Sequence, residues 1–366
     1  MKRECKMFEK KEKKRMSNFE LLRIIAIIII LISHFNFFSG LSGNFESVTV
    51  NSILTYSLRI GVVANYIFII LTGYFLVESK PNYKKIIKLL LEMFFYSILI
   101  LLVLLIFNKN LINSQSIIKS LLPIFFGNWF LIYYILLFIF TPFLNEFVRN
   151  TSQKTLKTLI FIMISILVVL TFSKNLWNYN YHFFFIVAYF VGAYLKLYCK
   201  NSFKNNKKII AVLVLSSLFT LISTIVLQYI GFKFNISYLV DKSDYFIRNS
   251  YSIFPFLIAI SLVLLFRNIK INYCPIINRI ATSVLGIYLI HENFLLRNII
   301  WKSFLPITFN INSGFLPIYM IGKVLLVFSI CLIVDQLRIL LLGKIEENFS
   351  NKIYSLIRKK QVNINE

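Results

Sequence analysis

The chain has 366 residues, of which 58% are hydrophobic and only 15% charged, with a mean hydropathy of +0.74; soluble domains carry about a quarter charged residues. The apolar residues fall in long runs, which excludes two soluble domains and leaves a bundle of membrane helices. The net charge of +25 does not mark a nucleic-acid binder, because the Lys and Arg residues sit in short clusters between apolar runs rather than on one accessible face.

The chain opens on a basic head. The apolar run after it is too long for the core of a signal peptide, and no small-residue cleavage site follows, so it is expected to be a permanent span. That span, about 19–38, is preceded by Ser17 and Glu20 in an S-x-x-E pattern, which predicts a capping box and a helix start near Asn18. Arg23 follows within two turns, and His34 lies eleven residues later. At about 100° per residue, eleven steps return to within about 20° of the same face, on the order of 16 Å further along. One helix therefore carries a guanidinium near one membrane surface and an imidazole deeper in, and both are expected to face a shared cavity. Arg23 has a bland reading, snorkelling to headgroups, and His34 can simply satisfy a neighbouring carbonyl. Ionisable groups inside spans are expensive, however, and mark functional sites by default; a histidine can also take a proton from a hydroxyl near neutral pH.

Nine further spans are expected at about 59–77, 86–107, 129–148, 157–173, 181–198, 209–231, 251–266, 281–300 and 317–342. They must be helices, since lipid offers the backbone no partner. A cytoplasmic N-terminus places 1–18, 78–85, 149–156, 199–208, 267–280 and 343–366 on one side, and these segments hold most of the basic residues. The opposite loop 39–58 has no Lys or Arg, and 301–316 has only Lys302. That asymmetry predicts an even number of spans with both ends inside. The expected division is a basic tail over 1–16, an all-α polytopic membrane domain of ten helices over 17–342, and a mobile basic tail over 343–366. The segment 111–128, with Lys119, Pro123 and Gly127, reads as a short interfacial or re-entrant helix. No internal repeat is visible, which disfavours an inverted-repeat transporter. Cys5, Cys199, Cys274 and Cys331 are not placed for an outer disulfide, and their spacing offers no metal cluster.

Along the spans, Arg59 sits at the outer end of the second and Asn65 within it. Either can contact an acceptor, and boundary anchoring explains Arg59 equally well. His182, beside Tyr179 and Tyr181, reads as an interfacial residue. His291 lies in the ninth span and is followed by Glu292, a carboxylate able to orient it. Adjacent residues point about 100° apart, which argues against a direct pair. A hydrogen-bonded bundle histidine is the competing reading. Asp335 and Arg338 are spaced for an i,i+3 ion pair of structural purpose.

Arg23 and His34 together make an Arg-x10-His motif, and here the chain resembles the membrane acyltransferase-3 family. The stretches 18–26 (Asn-Phe-Glu-Leu-Leu-Arg-Ile-Ile-Ala), 71–76 (Leu-Thr-Gly-Tyr-Phe-Leu), 129–134 (Trp-Phe-Leu-Ile-Tyr-Tyr), 141–145 (Thr-Pro-Phe-Leu-Asn) and 286–291 (Gly-Ile-Tyr-Leu-Ile-His) carry the resemblance, which extends from about 17 to 342. It implies ten spans, a cytoplasmic acyl-CoA (acetyl-CoA by family habit) as co-substrate, and transfer to a glycan at the outer face. Arg23 would bind donor phosphate or orient the thioester, as its planar fork allows. His34 would be the general base, and the context of His291 inclines that residue to a site role. Trp129 is the best-placed aromatic to stack on a sugar ring, with Asn65, Arg59 and Glu292 as further acceptor contacts. No Gly-rich phosphate loop, Ser-His-Asp cue or metal-ligand spacing is present in the sequence, so no metal is expected. A bacterial cytoplasmic membrane is the expected location, in keeping with a Lys-, Ile- and Asn-rich chain. The alternatives are a non-enzymatic carrier or exporter of lipid-linked glycans, which would line its path with charges on several helices, and a glycan polymerase, for which the chain lacks a sizeable outer loop.

Overall fold

The computed structural model describes residues 15–79, 82–171, 181–200 and 202–364, without the side chains of 171, 181, 182 and 358–364. Most of the basic head, Cys5 and Tyr179 lie outside the described residues, as does the side chain of His182. Every regular element among the described residues is helical. In chain order these are α1 (Ser17–Phe38), α2 (Val50–Ser57), α3 (Gly61–Leu76), α4 (Lys84–Phe107), α5 (Ser114–Leu121), α6 (Pro123–Phe126), α7 (Trp129–Asn150), α8 (Gln153–Thr171), α9 (Tyr181–Tyr198), α10 (Asn206–Lys233), α11 (Ser237–Asp241), α12 (Tyr245–Arg248), α13 (Ile253–Asn268), α14 (Pro275–Thr282), α15 (Val284–His291) and α16 (Phe315–Ile364). Among the described residues, eight helical stretches are long and apolar enough to cross a membrane, and α9 is a shorter apolar helix. The chain is thus an all-α polytopic membrane bundle.

The ninth expected span is not one helix. It breaks at Ser283 between α14 and α15, and α15 stops at His291. An irregular backbone at membrane depth is tolerated where it lines a cavity or is buried in protein, and this break sets the direction of the residues that follow it. The expected re-entrant segment is two short helices. Asn113 caps α5 by accepting from the Ser116 amide, and Ser97 on α4 donates to the Ser120 carbonyl at 2.9 Å. The expected C-terminal tail from 343 continues α16 without interruption to Ile364. Glu347 there pairs with Lys84 and Lys88 of α4.

The capping box does not form. The N-cap of α1 is Met16, with no side-chain cap. Ser17 instead accepts from the Cys274 amide at 2.8 Å and the Asn278 side chain at 3.1 Å. A contact 257 residues away in sequence outcompetes the local one, and it ties α1 to α14.

The centre of the bundle is α3, packed against α1, α9 and α13. A Cβ on Gly73 would lie 2.1 Å from the Tyr189 carbonyl oxygen, and one on Gly192 would lie 2.0 Å from that of Ile70. The backbones of α3 and α9 therefore approach as small residues allow in lipid, where packing replaces the hydrophobic drive. Segments expected on one side also bond to one another. At one end Asn18 donates to the Phe266 carbonyl, Arg267 to that of Cys199 and Arg149 to that of Val77. At the other, Asn51 donates to the Ile311 and Ser313 carbonyls, and Gln228 bonds Ser52.

Candidate functional site

His34, half-buried on α1, points at the C-terminal end of α15. Its Nδ1 lies 3.1 Å from His291 Nε2 and 3.0 Å from Glu292 Oε2. His291 is fully buried, and its Nδ1 lies 2.6 Å from the Ile287 carbonyl one turn back. A carbonyl oxygen only accepts, so His291 Nδ1 carries the hydrogen and its Nε2 keeps a lone pair. His34 Nδ1 then has to donate to His291 Nε2, which leaves the lone pair of a neutral His34 on its own Nε2. The tautomer of the first histidine is set by the second.

Glu292 follows the last residue of α15. Beside its neighbour His291 it converges on His34, with one ligand atom from each of the three within 4.8 Å of the others. Its Oε1 accepts from Arg297 Nη1 at 3.2 Å, whereas Oε2 has no hydrogen-bond donor among the described residues. The Arg297 guanidinium stacks over Phe38, 4.4 Å from the ring centroid, and its Nε is buried without a partner. Trp301 closes the back of the site. Its ring centroid lies 6.3 Å from that of His291 and 6.2 Å from that of Phe35. This tryptophan falls at the start of the expected outer loop 301–316 but is buried, because the chain there makes a π-helical turn over Ile299–Ser303.

Two cavities flank this cluster, where one was expected. The first, of about 260 Å³, is lined by Ser97, Lys119, Asn128, Trp129, Glu292, Asn293 and Arg297 among others. The second, of about 250 Å³, is largely apolar, with Arg23, Ile27, Ile30, Thr72, Tyr134 and Tyr288 in its wall. They share no lining residue. Trp129 lines one and Phe130 the other; Leu289 lines one and Tyr288 the other. The partition is therefore thin. Phe130 and Tyr288 meet edge to face across it, 6.1 Å between centroids. His34 is one turn beyond Ile30 of the second cavity and in contact with Glu292 of the first.

Arg23 does not point into lipid. It lines the second cavity and is paired at 2.6 Å with Glu20, the residue expected in the capping box. Its guanidinium also lies 5.5 Å from the Phe75 ring centroid. The structure thus brings His34, His291 and Glu292 together and places Arg23 and Trp129 on the flanking cavities. It does not bring Arg59 or Asn65 to them. Arg59 is buried at 4% exposure, bonded to Asp244 at 3.0 Å and to the Asn36 carbonyl, with Phe37 and Tyr56 on its faces. Asn65 is half-buried on α3 and lines neither cavity. Arg297 and Lys119 were not singled out from sequence. The signal that could have found Arg297 is its position five residues after Glu292 within a nominally apolar span.

His34, His291 and Glu292 each offer one ligand atom, all within 4.8 Å of one another, which is a spacing a metal ion could use. The Arg297 guanidinium on the same carboxylate opposes a second cation there. For an anionic co-substrate, the fitting residue is Arg23 at the edge of the apolar cavity.

A family model described as an acyltransferase domain matches residues 16–335. Comparison with curated proteins and with solved structures finds no match.

Proposed function

This chain belongs to the acyltransferase-3 family, and we propose that it carries an acetyl group from acetyl-CoA on the cytoplasmic side of a bacterial cell membrane to a hydroxyl of a surface or lipid-linked glycan on the other side. One observation carries this reading: His34, which itself lines neither cavity, touches Glu292 of the polar cavity that also holds Trp129, and lies one helical turn from Ile30 of the apolar cavity that holds Arg23. A reaction between substrates from opposite faces needs such an arrangement. The concentration of Lys and Arg at the end that holds Ser17 and Asn278 supports placing that end in the cytoplasm.

In this mechanism the apolar cavity takes the acyl end of the donor, and Arg23 meets a donor phosphate with the guanidinium hydrogens that Glu20 leaves free. The acceptor hydroxyl enters from the polar cavity. His34 Nε2, left basic by the tautomer that His291 enforces, removes its proton. The alkoxide oxygen attacks the thioester carbonyl, a C–O bond forms, and the C–S bond breaks. Coenzyme A leaves as the thiolate and recovers the proton from the imidazolium. Glu292 holds His34 in place and balances the imidazolium while it exists. Holding both substrates in line supplies much of the acceleration, since a thioester is already activated.

A glycan carrier is the competing reading. Elsewhere Arg59 is tied to Asp244 and Arg338 to Asp335, and the buried Lys323 donates to the Trp301 and Leu305 carbonyls, so these charges are held in place rather than lining a path. The test is full-length protein in liposomes, given acetyl-labelled coenzyme A and an extract of surface glycans. Label is expected on glycan, with a donor KM about tenfold higher for Arg23→Gln, in line with the loss of one charge-assisted phosphate contact. Glycan movement across the bilayer with no label transferred would favour the carrier.

A further inference from the structure

We infer that the acceptor is an anionic glycan, one bearing a carboxylate or phosphate close to the hydroxyl that is modified. The inference rests on the acyl-transfer reading for the word acceptor, but its physical basis is the polar cavity alone.

That cavity carries two cations, Lys119 and Arg297, against one carboxylate, Glu292. The carboxylate is already committed: Arg297 holds one oxygen, and His34 stands against the other. A positive excess is left at the cavity, carried by the exposed Lys119. The Arg297 side chain is 34% exposed on the cavity wall and gives Glu292 only its Nη1 among the described residues, so other guanidinium hydrogens remain for a ligand. Such a donor bonds a ligand oxygen, and a charged oxygen gives the stronger bond. A neutral sugar would fill the hydrogen-bond inventory but leave the charge. Trp129, 38% exposed at the cavity wall, offers an aromatic face to a pyranose ring. Asn128 and Asn293 add neutral partners for hydroxyls. Lys119 projects from α5, held against α4 by the Ser97–Ser120 bond, so the second cation sits on a fixed element.

The experiment is equilibrium dialysis of three labelled oligosaccharides against purified full-length protein in detergent, without donor. One is a uronic-acid trisaccharide, one its carboxyl-reduced counterpart, and one a glycerol-phosphate-substituted trisaccharide. At least one charged probe is expected to bind about tenfold tighter than the reduced sugar, as one charge-assisted contact predicts. Which of the two binds tighter names the anion. Lys119→Gln and Arg297→Gln are each expected to shrink that ratio to about threefold or less, and 0.5 M salt should shrink it too because Lys119 is exposed. Binding of all three within about twofold, or no binding of any, overturns the inference. A charged preference that neither variant nor salt reduces also overturns it, since the selectivity would then lie elsewhere. Retained charged-sugar binding without label transfer from acetyl-CoA would instead count against the acyltransferase mechanism and leave this inference standing.

Discussion

Two regions of this bundle bury charge inside the membrane, and they are built in opposite ways. Between α4 and α16, one guanidinium gathers three carboxylates. Arg338 reaches Asp335 at 2.9 Å, Glu92 at 3.1 Å and Glu346 at 2.6 Å, and Tyr96 donates to Asp335 at 2.7 Å. Asp335 has one oxygen without a donor among the described residues, but the residue is sealed at 0% exposure. Between α1 and the end of α15, the charges are fewer and looser, and Glu292 and Arg297 open onto a cavity. Intramembrane charge alone therefore does not distinguish a site from a clamp. What distinguishes them here is whether the charged side chains open onto a cavity: Glu292 and Arg297 line one at 12% and 34% exposure, whereas Asp335 and Arg338 are closed in at 0% and 5%.

Substitutions should separate the two regions. The largest expected effect is His34→Ala, which removes the base. Transfer should fall about 10²- to 10⁴-fold, the usual worth of a positioned general base. Melting of the purified protein should move less than for Arg338→Ala, because His34 is only half-buried, Glu292 keeps Arg297 and His291 keeps the Ile287 carbonyl. Residual transfer near the wild-type rate would take the base role away from it. Arg338→Ala should do the reverse. It strands three carboxylates in protein, and breaking a buried pair costs about 3–5 kcal/mol of stability. The readout is a lower melting temperature and less protein in the membrane. The molecules that do insert should have a near-normal acetyl-CoA KM. If Arg338→Ala melts like wild type while transfer collapses, the clamp is part of the chemistry and the contrast fails.

Much of this contrast could be read from the sequence, and some could not. The Asp335–Arg338 pair follows from helical spacing and appears in the structure; of the Arg23–His34 stripe, Arg23 lines the apolar cavity and His34 lines neither. Local periodicity sees partners within a turn or two. It does not see Asp244, which turns Arg59 from a surface anchor or acceptor contact into a buried strut across 185 residues. The break at Ser283 was hidden for a related reason. Hydropathy runs on through 281–290, and only the polar group Glu292, Asn293 and Arg297 interrupts it. At that interruption His291 and Glu292 do not pair with each other but both meet His34, a partner on α1 that local spacing does not reveal. Two cavities stand where one was expected, and Phe130 and Tyr288 meet in the wall of the apolar one, a pairing between remote helices. Beyond 342 the charge pattern predicts a mobile basic tail, but α16 continues to Ile364, and two acidic residues there, Glu347 and Glu346, bind back to α4 and to Arg338.

The two regions are also joined, and the joint predicts the smallest of these effects. Gly286 lies on α15, five residues before His291, and faces α16. A Cβ there would sit 2.0 Å from Asp335 Oδ1 and 2.2 Å from its carboxyl carbon. The carboxylate cannot swing aside, because Tyr96 and Arg338 both hold that same oxygen. Gly286→Ala must therefore push α15 away from α16, and overpacking of this kind costs about 1–3 kcal/mol. The displacement also moves His291 and Glu292, which ride on the same short helix, relative to His34 on α1. The expected outcome is a modest fall in melting temperature together with a fall in kcat at nearly constant acetyl-CoA KM, since Arg23 and most of the apolar cavity stay put. Unchanged melting would mean that α15 is not seated on the clamp. Lower melting with unchanged kcat would mean that the position of His291 does not govern His34, and the tautomer argument would lose its support.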